Sequence, residues 1–220
     1  MKKKVVIFGS GNQATVAAQE LLKSKKYSLD YFVDTNSSLK FKKINTKKFP
    51  IYKNLNLLKK KKIILGIIAI GHNFSRKIFS EDLEKKFSKI KWISLISKES
   101  IVASDVKIGE GSLIMPGCII NSKSIIKKHV IVNTGSIIEH DNILDDFSSI
   151  GPKCVLAGNV IVSSLSHIGI GSIILQKIKI GTNSLLGAGS LLNKNIPNNS
   201  VFFGRPAKFI KSKNLKFKYL

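Results

Sequence analysis

The 220 residues are 43% hydrophobic and carry a formal net charge of +24, which is enough apolar content for one large or two small folded domains and excludes a disordered chain. Cys118 and Cys154 lack CxxC spacing, so neither a disulfide framework nor a zinc site is expected, and a reducing compartment is the simplest reading. The basic excess is almost all lysine, scattered along the chain without aromatic interleaving and with only Arg76 and Arg205 as arginines; that pattern suits a lysine-biased soluble surface and a polyanionic small molecule, not nucleic acid.

The chain opens with "MKKKVVIFGSG", in which the apolar run Val5 to Phe8 is too short for a signal peptide. The run reads instead as a buried parallel strand over 4 to 9, followed by a helix in "SGNQATVAAQELLKS" with Val16, Leu21 and Leu22 at helical spacing. A second strand is expected at 29 to 34, ending in Asp34, and a third at 63 to 71. The segment 61 to 71 is far too short to span a bilayer. A helix over 75 to 87 and a strand over 91 to 96 complete an alternation typical of a small, open, Rossmann-like parallel sheet. Residues 1–95 are therefore expected as one domain, 96–220 as a second, and the location as cytoplasmic.

From residue 96 the period changes to six. Stepping from Val102 through Ile108, Ile114 and Ile120 to Leu186 and Leu192 gives sixteen positions, all Ile, Leu or Val. With about a third of residues of these types, chance agreement is on the order of 10⁻⁸ before the choice of register. Two positions earlier the residue is usually small, as at Ser112, Cys118, Ser136, Cys154 and Ser172, and glycine often follows, as at Gly109, Gly151 and Gly169. A hexapeptide period predicts a parallel β-helix, three units to a coil of 18 residues, with coils about 4.8 Å apart.

Taken together, "VVIFGSGNQA", "AIGHNFSRKI", "IGEGSLIMPGCIIN", "VNTGSIIEHDN", "LAGNV" and "VFFGRPAKFI" resemble the hexapeptide-repeat sugar acetyltransferases of the sialic acid O-acetyltransferase and UDP-4-amino-sugar N-acetyltransferase type. The resemblance covers nearly the whole chain. It implies a left-handed β-helix that assembles as a homotrimer, binds acetyl-CoA between neighbouring helices and needs no metal. It also implies that the N-terminal domain holds a sugar-nucleotide acceptor.

Acetyl transfer from a thioester needs a base for the attacking nucleophile and a donor for the developing oxyanion. Of the four histidines only His140 has a carboxylate on each side, Glu139 and Asp141. A neighbouring carboxylate fixes an imidazole's tautomer and raises its basicity. The resemblance makes His140 the base and Asp141 its partner, with Glu139 the alternative. Repeat arithmetic places Gly158 one coil above His140, where its N–H can serve the oxyanion, and the family role of the matching glycine agrees. Asn133 matches a polar position lining the family's site. Where the family often has a second histidine touching acetyl-CoA, this chain has Ser149; Ile170 and Ala188 match positions along the pantetheine arm. His167 reads as a surface strand residue.

The loop Gly9 to Gln13 follows a strand and opens a helix, so its N–H groups suit an anion. By itself, with Asp34 about 20 residues on, it is a weak dinucleotide fingerprint. The resemblance assigns Gly11, Asn12, Gln13, Asp34, Thr35 and Gly71 to the acceptor instead, with Gln13 where the family usually has histidine. The expected activity is acetylation of the 4-amino group of a UDP-linked amino-deoxy-sugar in surface-glycan biosynthesis. The alternatives are O-acetylation of sialic acid or a related nonulosonate, or a non-catalytic trimeric scaffold that binds sugar nucleotides.

Overall fold

The computed structural model describes residues 1–59, 63–215 and 217. Positions 61 and 62 of the apolar segment, and 216 and 218–220 of the C-terminal tail, lie outside the described residues. Two compact units are present: Met1–Gly71 with Ser75–Leu95, and His72–Phe74 with Ile96–Leu220.

The first unit contains β1 (Lys3–Phe8), α1 (Asn12–Leu22), β2 (Tyr27–Val33), β3 (Phe41–Ile44), β4 (Lys47–Tyr52), α2 (Asn56–Lys59), β5 (Ile64–Ile68), α3 (Asn73–Lys86) and β6 (Ile90–Trp92). The sheet order is β3-β4-β2-β1-β5-β6, with β1 parallel to both β2 and β5. Val5 to Phe8 are wholly buried, as a central parallel strand covered on both faces must be. Phe8, Tyr31, Val33, Leu58, Ile68, Leu83 and Trp92 form one apolar cluster. Because β1 is followed by β2 on one side and β5 on the other, strand order reverses there. The crevice at the carboxyl ends of these strands is the natural ligand position of an open α/β sheet.

Three details depart from the expected elements. The β3–β4 hairpin is an addition: β4 extends the sheet beside β2, and β3 returns antiparallel through a two-residue turn with Asn45 at φ 52°. The strand expected over 91–96 is two strands, because β6 pairs with β5 only as far as Trp92 and Leu95–Ile96 joins a different sheet. An apolar run carries no mark of where its pairing partner changes. β2 ends at Val33, so Asp34 stands just beyond it at the mouth of the crevice.

The second unit is a left-handed parallel β-helix of two-residue strands, and three sheets form its sides. The first side runs from Leu95–Ile96 through Leu113–Ile114, Ile131–Val132, Ser149–Ile150 and His167–Ile168 to Leu185–Leu186. The second runs from Ile101–Val102 through Ile137–Ile138 and Val155–Leu156 to Leu191–Leu192, and the third from Lys107–Ile108 to Lys179–Ile180. Every pairing within the coils is parallel with an offset of 18, as in Ile137↔Val155. The sixfold aliphatic positions point inward: Ile114 and every later one are buried, whereas Val102 and Ile108, at the open first coil, are only partly so.

Two further sixfold rows hold the corners. The small residues form an internal ladder in which hydroxyls bond to the coil above: Ser136 Oγ donates to Gly151 O at 2.8 Å and accepts from Cys154 N. This pairs backbone groups that burial would otherwise leave unsatisfied. From Gly111 to Gly189 the backbone also adopts positive φ at every sixth residue, including the non-glycines Lys123, His129, Asp141, Phe147, Asn159 and Leu165. The glycines at 109, 151 and 169 serve packing instead, since a Cβ on Gly169 would lie 2.5 Å from Ala188 N. The last coil shortens to an offset of 16, and Ser200–Gly204 then pairs with Ala207–Ser212 as an antiparallel hairpin.

Candidate active site

His140 lies on the turn between the second and third sides, and the residue after it takes φ 58°. Asp is among the few non-glycine residues that tolerate this region. The left-handed turn brings Asp141 Oδ2 to 2.7 Å from His140 Nδ1. With Nδ1–H donating to the carboxylate, the lone pair of the neutral ring resides on Nε2. The ring is 57% exposed and so accessible to a substrate. Glu139, its other neighbour, is turned to the coil below, where it accepts from Asn121 Nδ2 at 2.9 Å. Geometry therefore separates the two carboxylates: one holds the imidazole and the other ties coils together.

Gly158 stacks one coil above. A Cβ there would lie 2.6 Å from His140 Cε1 and 2.7 Å from Nε2, so the imidazole rests against bare backbone. Gly158 is buried beneath it, and its carbonyl accepts from Lys177 N while Asn159 N donates to His140 O. No hydrogen bond among the described residues engages the Gly158 N–H. The imidazole thus lies beside a backbone N–H that has no partner among the described residues, the two kinds of group that an attacking amine and the tetrahedral oxyanion it forms require.

The remaining candidates of this unit stand elsewhere on the prism. Asn133, Ile170 and Ala188 are on turns between the first and second sides, one corner away from His140. Asn133 Nδ2 donates to Ile150 O at 3.1 Å, whereas Ile170 and Ala188 are exposed. Ser149 lies on the outer face of the first side, nearly fully buried, in a column with Leu113, Ile131, His167 and Leu185. Its hydroxyl is 2.7 Å from His167 Nδ1 in the next coil. His167 is the strand residue expected, half-buried and partnered by this hydroxyl; its place 18 residues after Ser149 was the available signal for the contact. One chain brings together His140, Asp141 and Gly158, and leaves Asn133, Ile170 and Ala188 on a separate edge.

Neither cysteine is a nucleophile. Both occupy the internal ladder, Cys154 Sγ donating to Gly169 O, and burial pushes the Cys154 thiol up to about 11 and raises that of Cys118. Among the described residues no three His, Cys, Asp or Glu side chains converge as a metal site, and no helix is long and apolar enough to cross a membrane.

In the first unit, Gly11 to Gln13, Asp34-Thr35 and Gly71 all fall at the crevice. Gly9, at φ 99°, would bring a Cβ to 3.1 Å from Ala69 O, so the loop can pass β5 only as glycine. Asp34 Oδ2 accepts from both Ser10 N (2.9 Å) and Ser10 Oγ (2.6 Å), and Lys42 Nζ donates to Ser10 O. Gly11 caps α1, whose first turn contains no acidic residue. Exposed Asn12 and half-buried Gln13 start that turn, so its N–H groups and dipole favour an anion. Arg76, wholly buried on α3, donates to Ile70 O (2.8 Å) and Gly71 O (2.9 Å) and fixes the third edge.

Known proteins share this fold. Residues 4–83 match the PglD N-terminal domain. PerB from Caulobacter crescentus, solved with CoA and GDP-perosamine, superposes with a TM-score of 0.85 at 27% identity, covering 94% of this chain and 97% of that one. The acetyltransferase domain of PglB from Neisseria gonorrhoeae FA1090, in complex with acetyl coenzyme A, gives 0.86 at 27% identity, covering 96% and 100%. WeeI from Acinetobacter baumannii AYE shares the fold, with a TM-score of 0.80 at 22% identity over 94% and 100%. Over nearly its whole length the chain is thus similar to sugar acetyltransferases solved with CoA or acetyl coenzyme A bound.

Proposed function

We propose that the protein transfers the acetyl group of acetyl-CoA to the 4-amino group of a nucleotide-linked amino-deoxy-sugar in the cytoplasm, for surface-glycan synthesis. The observation that carries this reading is the contact of the His140 ring, held by Asp141, with the backbone of Gly158. The neutral amine attacks the thioester carbonyl, and Nε2 takes the amine proton as the C–N bond forms. The tetrahedral oxyanion is held by Gly158 N–H. Its collapse breaks the C–S bond, and the imidazolium returns its proton to the leaving thiolate. No acyl-enzyme is formed. Each step needs groups already in place, and general base catalysis by a positioned histidine is worth about 10² to 10⁴ in rate.

The acceptor nucleotide sits in the crevice of the first unit, with its diphosphate at the start of α1 and its sugar near Asp34-Thr35 and Gly71. The resemblance favours uridine; the GDP-perosamine bound by PerB favours guanosine as the second reading. Acetyl-CoA is held by Ser149, Gly158, Ile170 and Ala188, with Asn133 lining the site. Because these occupy different corners of one prism, the complete site needs a second copy, in a homotrimer. An outward stripe of Ile101, Ile119, Ile137, Val155, Ile173 and Leu191 on the second side, between the two corners, supplies an apolar face for it.

The test is thiol release from acetyl-CoA with UDP-, GDP- and dTDP-linked 4-amino sugars and with sialic acid. Turnover with one amino-sugar nucleotide supports the reading. Turnover with sialic acid alone establishes O-acetylation, and CoA release with none, together with no thermal stabilisation by acetyl-CoA, establishes the scaffold.

A further inference from the structure

The internal ladder changes character at one rung. At every sixth position from 112 to 190 the residue is Ser, Cys, Val or Ile, except for Asn142. Asn142 is wholly buried and stands two residues after His140. A serine rung makes two bonds to the coil above: Ser136 Oγ donates to the carbonyl 15 residues on and accepts from the N–H 18 residues on. Asn142 repeats both, Nδ2 donating to Ala157 O at 3.1 Å and Oδ1 accepting from Val160 N at 2.9 Å. An amide nitrogen carries a second hydrogen that a hydroxyl lacks. Within its own coil, Nδ2 also donates to Glu139 O at 2.6 Å and lies 3.4 Å from His140 O.

The carbonyls held by this amide belong to the peptide units that lead into the site. Glu139 O is part of the peptide before His140, and Ala157 O is part of the peptide before Gly158. A trans peptide is planar, with its N–H directed opposite to its carbonyl. Drawing Ala157 O towards the buried amide therefore turns the Gly158 N–H away from the interior, and that N–H has no partner among the described residues. Ser124, one coil below, also donates to Glu139 O at 2.9 Å, as the ladder does elsewhere. What Asn142 adds is a link from the turn that carries His140 to the turn above it, through one planar group.

We infer that Asn142 is a positioning residue for acetyl transfer, tying the His140 turn to the Gly158 peptide and so holding the imidazole against the backbone above it. The inference rests on His140 as the base and adds to it the side chain that sets where that base stands. It accounts for asparagine at the one rung between His140 and Gly158, where serine would satisfy the coil but not the turn.

The test is a double-mutant cycle with thiol release from acetyl-CoA as the assay. Asn142→Ser keeps the serine pattern of the ladder and removes only the link within the coil. It is expected to lower kcat about tenfold and to change KM for either substrate less than about twofold. In the His140→Ala background the same substitution should cost less than about threefold, because the ring it positions is gone. Asn142→Cys, which copies the rungs at 118 and 154, is the second variant and carries the same expectations. Ser112→Ala, which deletes a rung bonded to Lys127 O and Val130 N, should lower the melting temperature and leave kcat unchanged. Unchanged kcat in both Asn142 variants overturns the inference, as does an equal loss with and without His140, or a matching loss in Ser112→Ala. Full activity in His140→Ala overturns the base reading itself, and the positioning role with it.

Discussion

The imidazole of His140 lies against the backbone of Gly158, with no room for a Cβ between them. The stacking of an 18-residue coil turns a sequence separation into contact, and here it sets an imidazole against a bare backbone. Gly158→Ala would force the ring aside; being exposed, His140 can swing away without disturbing the coil. We expect kcat to fall roughly 10²-fold, as for a 1 Å misplacement of a reacting group. The melting temperature should move by no more than about 2 °C. Steady-state kinetics and a thermal melt on the same sample check this; unchanged kcat would mean that the ring position is immaterial.

The two carboxylates flanking His140 are predicted to differ. Asp141→Asn retains a side chain suited to φ 58° but withdraws the negative charge from Nδ1, and the rate should drop on the order of 10²-fold. Glu139→Gln still bonds Asn121 and should cost less than about threefold. Comparing kcat for the two variants decides; equal losses would show that charge near the ring, not its orientation, is what matters.

Assembly and activity are predicted to fail together. Ile137→Asp puts a charge in the centre of the outward apolar stripe without touching the inward Ile138. Light scattering should report monomers, and acetyl transfer should fall at least about 10²-fold because Asn133, Ile170 and Ala188 no longer meet a neighbour's His140. An active monomer would show that one chain suffices.

Lys213 gives a pH-dependent prediction. Its Nζ is buried against Asn183, donating to Asn183 O at 3.1 Å and to Oδ1, and burial lowers its pKa to about 8. The unfolded chain holds that proton until about 10.5, so between these values unfolding takes up a proton and stability rises with pH. Below about pH 8 the cost of the buried charge is fully present; it disappears as pH rises towards 10.5. The melting temperature of the wild-type protein minus that of Lys213→Met should therefore increase from pH 7.5 to pH 10. A constant difference would contradict the depressed value.

Much of this was legible in the residues because the β-helix repeats. One aliphatic position in six announces the coil, and addition of 18 to 140 locates Gly158. The corner row was not legible: Lys123, Phe147 and Leu165 adopt positive φ, yet none of these residue types signals it. Asn142 fills a rung that serine fills elsewhere, donating to Ala157 O and accepting from Val160 N, so a ladder read as a row of small residues misses it. The β3–β4 hairpin escaped for a similar reason. Its turn is Asn45-Thr46 without glycine, and Lys42, Lys43, Lys47 and Lys48 hide the alternation of its apolar residues. The contact of Ser149 with His167, 2.7 Å from hydroxyl to Nδ1, follows the same 18-residue step as that of His140 with Gly158.

The most direct measurement is the rate of CoA release by His140→Ala and His140→Asn from acetyl-CoA and the acceptor that the wild-type enzyme uses, with acetyl-CoA affinity measured alongside. Loss of 10² to 10⁴ in kcat with donor affinity changed less than about threefold is the predicted result. Retention of the wild-type rate by either variant would remove the base from the mechanism and contradict the account.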